Sequence, residues 1–563
     1  MAPCKTELLP LRVMLFAFYG GIGCVLPFVT LHLSTLGLTA ADQSWLQLVL
    51  PFVSCAGPLL GGPLADRMGS YKPLLVASLL VCAAAYPCLL LVPPVERLPP
   101  RSPELFLSCG PRGSMIGSEL CVDGCSDGDT EARAYHVLDC AYRCEGAGRI
   151  TQCEVLDAGG GLVLNASLPR RLPRAGEPAC WYPLVDFRRA GESYRSLVCG
   201  RVSGCRLRCA VRQLSEPPLF GPELCRETVG DPGFTLWLYF GLRAATEALL
   251  ALALVLVNAT TLLLRRRHDS DYGREALWAL LGLATFAPVC GYVLDVQGEV
   301  AGRPDFRPSM CAFSALMLVC VVLASVVPVR PGFPSDCRQY WRLLAKNVFN
   351  CEFFGVVCAL VLLGVFWGFL ETFLYGHVRG LGGSQLQNGL SLTAGTLVLL
   401  PFLLRAEALV AYCGHHHVFI VAFIIYIVRY VSYAYITEPW LVLVAESLEM
   451  FTLHLAWMAA VLFASDRGRP VVEASLQAVI TAAHYGIGRG VAAGVVQYAL
   501  PLSSSFLLLC AGSVLAAVAA TLYLVLYHCC RALRTDRRAY NKRQLYNSGG
   551  AMLNGPHSSQ SRR

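Results

Sequence analysis

Twelve times along this chain an apolar run of about twenty residues comes between clusters of charge, proline or glycine, and that is the length a helix needs to cross the hydrocarbon of a bilayer. Lipid offers no hydrogen bonds, so a spanning segment must satisfy its backbone internally and is helical. The runs lie near 12–36, 44–64, 74–95, 233–262, 275–294, 309–328, 351–374, 386–404, 417–437, 440–464, 473–498 and 503–528. With 55% hydrophobic and only 15% charged positions in 563 residues, a soluble enzyme, a nucleic-acid binder or a secreted module is excluded as a reading of the whole chain. The first run follows Lys5 and Arg12, is longer than a signal-peptide core and lacks a small-residue cleavage site, so it is read as a retained span.

Orientation follows from the short loops, because Lys and Arg are held back on the cytoplasmic side during insertion. With the amino terminus inside, cytoplasmic segments carry 23 Lys and Arg, among them Arg67, Lys72, Arg265, Arg266, Arg267, Arg405 and Arg467, against Arg303, Arg307 and Arg379 outside. Both termini are therefore expected in the cytoplasm, and the plasma membrane is the expected location.

Residues 96–232, between the third and fourth spans, are too many for a turn and fall outside the cell by this count. Their 17 Arg and 18 Asp or Glu nearly cancel, so no nucleic-acid partner is implied. Eleven cysteines sit here: Cys109, Cys121, Cys125, Cys140, Cys144, Cys153, Cys180, Cys199, Cys205, Cys209 and Cys225. A segment poor in apolar residues in an oxidising compartment is expected to be stapled by disulfides, up to five of them, in preference to binding zinc. Asn165-Ala166-Ser167 is a glycosylation sequon on this segment, whereas Asn258-Ala259-Thr260 lies at the cytoplasmic end of a span and is expected to stay bare. The organisation is thus 1–95 (three spans), 96–232 (extracellular insert), 233–329 (three spans), 330–350 (basic connector), 351–528 (six spans) and 529–563. That last stretch reads as a basic, disordered tail attracted to anionic lipid.

The loop after the second span reads Gly62-Pro63-Leu64-Ala65-Asp66-Arg67-Met68-Gly69-Ser70-Tyr71-Lys72. It resembles the G-x-x-x-D-R-x-G signature of the major facilitator superfamily, at the place that superfamily uses it. The resemblance implies a latch made by Gly62, Asp66, Arg67, Gly69 and Lys72 that stabilises one access state. Asp66 could pair with Arg67 or accept from a helix amino terminus across the bundle. The corresponding second-half loop, Arg405-Ala406-Glu407, lacks the signature and reads as a degenerate copy. Arg429-Tyr430, Glu438-Pro439-Trp440, Glu446, Gln477 and the Gly486-Ile487-Gly488-Arg489-Gly490 run are similar to the branch containing the superfamily's domain-containing protein 6, related to sugar and nucleoside proton symporters. The fold implied is an all-α membrane protein with twelve helices in two six-helix bundles, a central cavity and a disulfide-rich insert.

An ionisable side chain at bilayer depth costs on the order of 3 kcal/mol, so it rarely faces lipid. Arg243 and Glu247 stand four apart on one helical face. Arg429 and Glu446 sit at similar depth on neighbouring spans; Glu449 and His454 share an arc with Glu446, and Gln477, His484 and Arg489 follow in the eleventh run. A carboxylate in a cavity holds a proton that a nearby Arg loosens, so Glu446 is expected to carry a proton with Arg429 as its counter-charge, the others contacting solute or relaying protons. Each of these is equally a candidate for plain interhelical glue, and Glu371, close to the outer end of its span, reads as interfacial. Nothing resembles a nucleophile with its base or a metal cluster, so neither enzyme nor cofactor is expected. The expected activity is proton-linked transport of a small polar solute. The alternative is a receptor whose insert binds an extracellular protein ligand while the bundle serves as an anchor.

Overall fold

Helix boundaries in the apolar part of the chain are set by local chemistry. Thr39 accepts from the backbone N–H of Asp42 while the Asp42 carboxylate reaches back to Thr39, and Ser384 and Gln387 form the same reciprocal cap. Asn350 caps another helix through Glu352 N, and Gly69, with φ of 62°, ends the helix that Thr39 begins, in the left-handed region that a side chain would strain. The structure is a computed structural model. It describes residues 6–97 and 228–553, apart from 302–303, 328–336, 469 and 500–502, and between them Glu104 and the strands given below.

In chain order the helices are α1 (Leu9–Thr35), α2 (Ala40–Met68), α3 (Lys72–Leu91), α4 (Pro232–His268), α5 (Tyr272–Val300), α6 (Arg307–Val326), α7 (Cys337–Val348), α8 (Cys351–Gly380), α9 (Gln385–Leu403), α10 (Ala406–Cys413), α11 (His415–Tyr435), α12 (Pro439–Arg467), α13 (Pro470–Ala499) and α14, which begins at Ser505. Among the described residues eleven of them, all but α7, α9 and α10, are long and apolar enough to cross a membrane. The helix α9 fills the place of the expected eighth span, but its first turn carries Gln385, Gln387 and Asn388. α14 runs on to Leu553, so residues 530–553 are helical where the composition of the tail predicts disorder; residues 554–563 lie outside the described residues. Its Arg, Ala, Leu and Gln residues are good helix formers.

Two hydrophobic cores organise this unit. One joins α1 to α6, with Phe18, Tyr86, Leu256 and Phe313 buried; the other joins α8 to α14, with Phe366, Tyr426, Tyr430 and Phe463 buried. The halves meet where α5 packs along α9 and α2 packs along α13.

Residues 95–231 form a separate unit. Its described strands make an antiparallel nine-stranded sheet in the order Ala179–Pro183, Gly113–Glu119, Leu105–Gly110, Cys205–Gln213, Arg133–Cys144, Leu162–Ser167, Val185–Arg189 and Glu192–Tyr194, with Thr151–Gln152 also pairing Arg133–Cys144. The all-α expectation is thus corrected for the insert. Phe106, Leu107, Ile116, Tyr135, Val137, Trp181 and Tyr182 are buried in this unit; such one- and two-residue apolar signals are fainter than a spanning run and are masked by the density of cysteines. Cys180 and Cys209 are buried in this unit; Cys121, Cys125, Cys153, Cys199 and Cys225 lie outside the described residues. Asn165 sits in a strand, paired with Ala134 and Arg188.

Candidate functional site

Residues from both halves of the helical unit enclose a cavity of about 220 Å3. Tyr19, Tyr86, Arg243, Glu247 and Tyr272 line it from the first half, and Trp367, Glu449, His454, Trp457, Tyr485 and Arg489 from the second. A smaller cavity of about 80 Å3 shares Arg243, Glu247 and Arg489 and adds Glu371 and Tyr375.

Each half contributes one ion pair to this space. On α4 the Arg243 guanidinium lies 2.5 Å from Glu247, as the spacing of four predicts, and donates to the Tyr86 hydroxyl at 3.1 Å. Opposite, Arg489 of α13 grips Glu371 of α8 with two bonds, 2.9 and 3.1 Å. Glu371 is 8% exposed, which corrects its reading as an interfacial residue. It lies inside a 30-residue helix that runs on to Gly380, and a buried arginine across the packing needs it.

Arg429 and Glu446 meet at 2.5 Å, and the hydroxyl of Tyr433 also donates to Glu446, while Arg429 donates to Thr452 at 2.7 Å. The pair is 1% and 2% exposed and neither residue lines the cavity. Glu449, one turn on, does: Trp367 Nε1 donates to one of its oxygens at 3.0 Å, and the other oxygen has no hydrogen-bond partner among the described residues. Immediately after it, Met450–Leu455 winds as a π-helix, which places His454 on the cavity wall 3.5 Å from Thr396 Oγ1. A second π-helical turn, Ala482–Gly488, holds His484 among Trp367, Trp457 and Tyr485. Wide turns of this kind are frequent at functional sites and leave no mark in apolar periodicity. Gln477 is remote from the cavity lining and donates to Val461 O at 3.0 Å.

At the end of the bundle that carries Asp66, carboxylates join the halves through helix amino termini, where unpaired N–H groups and the helix dipole favour negative charge. Asp66, fully buried, accepts from Ala474 N at 3.2 Å, Ser475 N at 2.8 Å and Ser475 Oγ at 2.5 Å, in the first α-helical turn of α13, which begins at Glu473 after the 3-10 turn Pro470–Val472. Tyr71 donates to it at 3.0 Å. Burial, reinforced by the carboxylate beside it, pushes the Tyr71 hydroxyl well above the usual phenol range, so it stays a donor. Tyr340 of α7 meets Ser475 Oγ at 2.6 Å, bringing the connector onto the same cluster. Gly62 lets α2 lie against Ala474 and Ala478, where a Cβ would collide. Arg67 is exposed, and Lys72 donates to Ser325 O, tying α3 to α6.

The second-half loop does the reciprocal job. Glu407 accepts from Tyr272 N, the first residue of α5, at 2.9 Å and pairs with Arg265. The loop expected to be degenerate has therefore lost the motif and kept its geometry. Arg266 adds a link to Glu473 at 3.1 Å and to Ser465 O at 2.6 Å. At the opposite end Asp295 of α5 accepts from Gln385 N and Leu386 N, at 2.9 and 2.8 Å, so α5 is fastened to the second half at both ends.

The profile of the MFS_1 like family matches residues 8–498, which takes in the whole of this arrangement up to the end of α13. The chain belongs to the MFS_1-like family. This MFS_1-like chain has the fold of solved transporters: it is similar to a single-substitution mutant of the nucleoside transporter NupG (TM-score 0.52, 13% identity, 92% of this chain and 100% of that one). A POT family transporter in complex with 5-aminolevulinic acid is similar with a TM-score of 0.50 at 9% identity, over 92% of this chain and 95% of that one. At such identities the likeness is one of fold. Major facilitator superfamily domain-containing protein 6-like protein B of Xenopus laevis is 24% identical over 226 residues, which is 38% of this MFS_1-like chain and only 36% of that relative.

Proposed function

We propose that this MFS_1-like chain is a secondary active transporter that moves a small polar solute by alternating access, coupled to protons. The observation that carries the reading is the cavity shared by the two halves, with the Arg243–Glu247 pair and Arg489 on its walls and Glu371, the partner of Arg489, lining the smaller cavity beside it. A buried charge that served only as glue needs no opening beside it; four of these do have one. In this reading α9 is a twelfth span, completing two bundles of six. In this reading the protein sits in the plasma membrane, and the positive loops favour a cytoplasmic Asp66 end and cytoplasmic termini, so the carboxylate links close the inner side. Glu449 is the coupling group in preference to Glu446: it is the one of the two that lines the cavity, and one of its oxygens makes no hydrogen bond among the described residues, whereas Glu446 is committed to Arg429 and Tyr433. Arg429 and Glu446 then hold the end of α12 against α11.

Solute-driven pH change in proteoliposomes tests this, using a panel of nucleosides, sugars and amines with the wild type, Glu449→Gln, Glu446→Gln and Arg429→Ala. Proton-coupled flux that Glu449→Gln uncouples supports the reading; equal coupling in all four proteins removes the assignment, and no flux from any of them removes transport. A receptor role is the second reading, favoured by the insert's own sheet and apolar interior. Binding of an extracellular protein that survives in every cavity variant and disappears when residues 100–230 are deleted would support it.

A further inference from the structure

The cavity has one electrostatic asymmetry. Arg243 and Arg489 are each cancelled by a carboxylate within 3 Å, Glu247 and Glu371. Arg429 is bound to Glu446. Among the described residues Glu449 is left as the cavity carboxylate with no cation of its own, 3% exposed, its second oxygen unpartnered and set against Gly395, whose missing side chain gives it room. Beside it stand aromatic faces: Trp367, which donates to Glu449, meets Tyr485 at 5.3 Å between ring centres, and Trp457 meets Tyr485 at 4.8 Å. Away from these groups the lining is aliphatic, with Ile22, Leu26, Leu250, Leu254 and Leu283.

We infer that this cavity selects a small organic cation: a protonated amine that donates to the Glu449 carboxylate, lies against Trp457 and Tyr485, and carries an apolar body toward α1 and α4. The chemistry is complementary at each point. A buried carboxylate oxygen without a donor is costly to leave unmade, and an ammonium group satisfies it with both charge and N–H. Aromatic faces attract cations most strongly where water is excluded. An anion would meet Glu449 unopposed, because the arginines are already engaged. At about 220 Å3 the space lies below the roughly 300–1,000 Å3 of drug-sized sites, which confines the solute to a small amine. The inference rests on the cavity being the solute site and adds the class of solute.

Three probes of one shape test it on the full-length protein in nanodiscs: 2-phenylethylamine as the cation, 2-phenylethanol as the neutral isostere and phenylacetate as the anion. Binding is read by quenching of tryptophan fluorescence and by competition with radiolabelled amine; uptake is read separately in proteoliposomes. The amine should bind at least about tenfold more tightly than the alcohol, and phenylacetate not at all. Glu449→Gln should abolish the preference for the amine while leaving alcohol binding within about twofold. Trp457→Leu should weaken the amine several-fold and Trp457→Phe much less. Thermal melting in detergent, with Glu449→Gln within a few degrees of the wild type, guards against a folding defect in that variant. Equal binding of amine and alcohol, or an amine preference that survives Glu449→Gln, overturns the inference. Binding with these preferences but without uptake leaves the inference standing and removes transport. Uptake of neutral or anionic panel solutes without amine preference does the reverse.

Discussion

Asp66 and Ser475, 409 positions apart, are joined by two hydrogen bonds, from the backbone N–H at 2.8 Å and from the hydroxyl at 2.5 Å. The aspartate thus acts as an N-cap for a helix in the other half of the molecule. A cap of this type contributes about 1 kcal/mol within one helix; here the same bonds also hold two halves together. Asp66→Ala should therefore loosen the Asp66 end more than it destabilises the fold. Cys55, half-buried between α2 and α13 with its thiol 3.7 Å from Ala482 O, reports the change. Maleimide labelling of Cys55, read peptide by peptide in a mass spectrometer, should speed up several-fold in Asp66→Ala. An unchanged rate would mean that the link does not hold this end closed.

Glu407 and Tyr272 make the reciprocal link, so the two caps act in parallel on one closure. Glu407→Gln alone should raise Cys55 labelling modestly, and Asp66→Ala with Glu407→Gln should raise it by more than the product of the single effects. Additive free energies in this double-mutant cycle would show the two caps to be independent.

Removing one partner of a buried ion pair leaves the other uncompensated, at a cost of about 3–5 kcal/mol. Glu446→Gln, which strands Arg429 at 1% exposure, should lower the thermal midpoint strongly and reduce the yield of monodisperse protein. Glu449→Gln should leave the midpoint within a few degrees, because its amide can still accept from Trp367. Thermal melting in detergent compares the two directly, and equal losses would put Glu446 and Glu449 in the same role.

Tyr340→Phe keeps the ring and deletes the hydroxyl that meets Ser475. A hydrogen bond of this kind contributes about 1 kcal/mol. The expected result is faster hydrogen exchange across Cys337–Val348 with the rest of α8 to α14 unchanged. Protection that stays at the wild-type level would show that α7 is held by its apolar face alone.

The spans are legible because lipid imposes one solution on a twenty-residue apolar run, and the pair Arg243 and Glu247 is legible because both residues lie on one helix. The partner of Arg489 is not: Glu371 is 118 positions away, and only packing brings α8 and α13 together. The role of Glu407 is hidden for a different reason. A helix amino terminus offers the same N–H groups whatever its sequence, so the carboxylate that caps it needs no motif around it. Depth counting places Arg429 and Glu446 side by side correctly, yet depth says nothing about which face of α12 meets open space. The π-helical turns shift that face, and no sequence period records them. In the insert the readable signals are the short apolar run Leu105-Phe106-Leu107 and the alternation of Tyr135 and Val137 about His136, and the segment's eleven cysteines obscure them.

The wide turns of α12 and α13 each hold one residue beyond what an α-helical ladder would use. A helix with such a surplus can pass it along its axis without parting from its neighbours, and each residue handed on turns the segment behind it by about 100°. His454 and His484 ride on these two turns. Twisting in place would carry them toward or away from the cavity while both ends of the rods stay anchored, a rearrangement that needs no rocking of one half against the other.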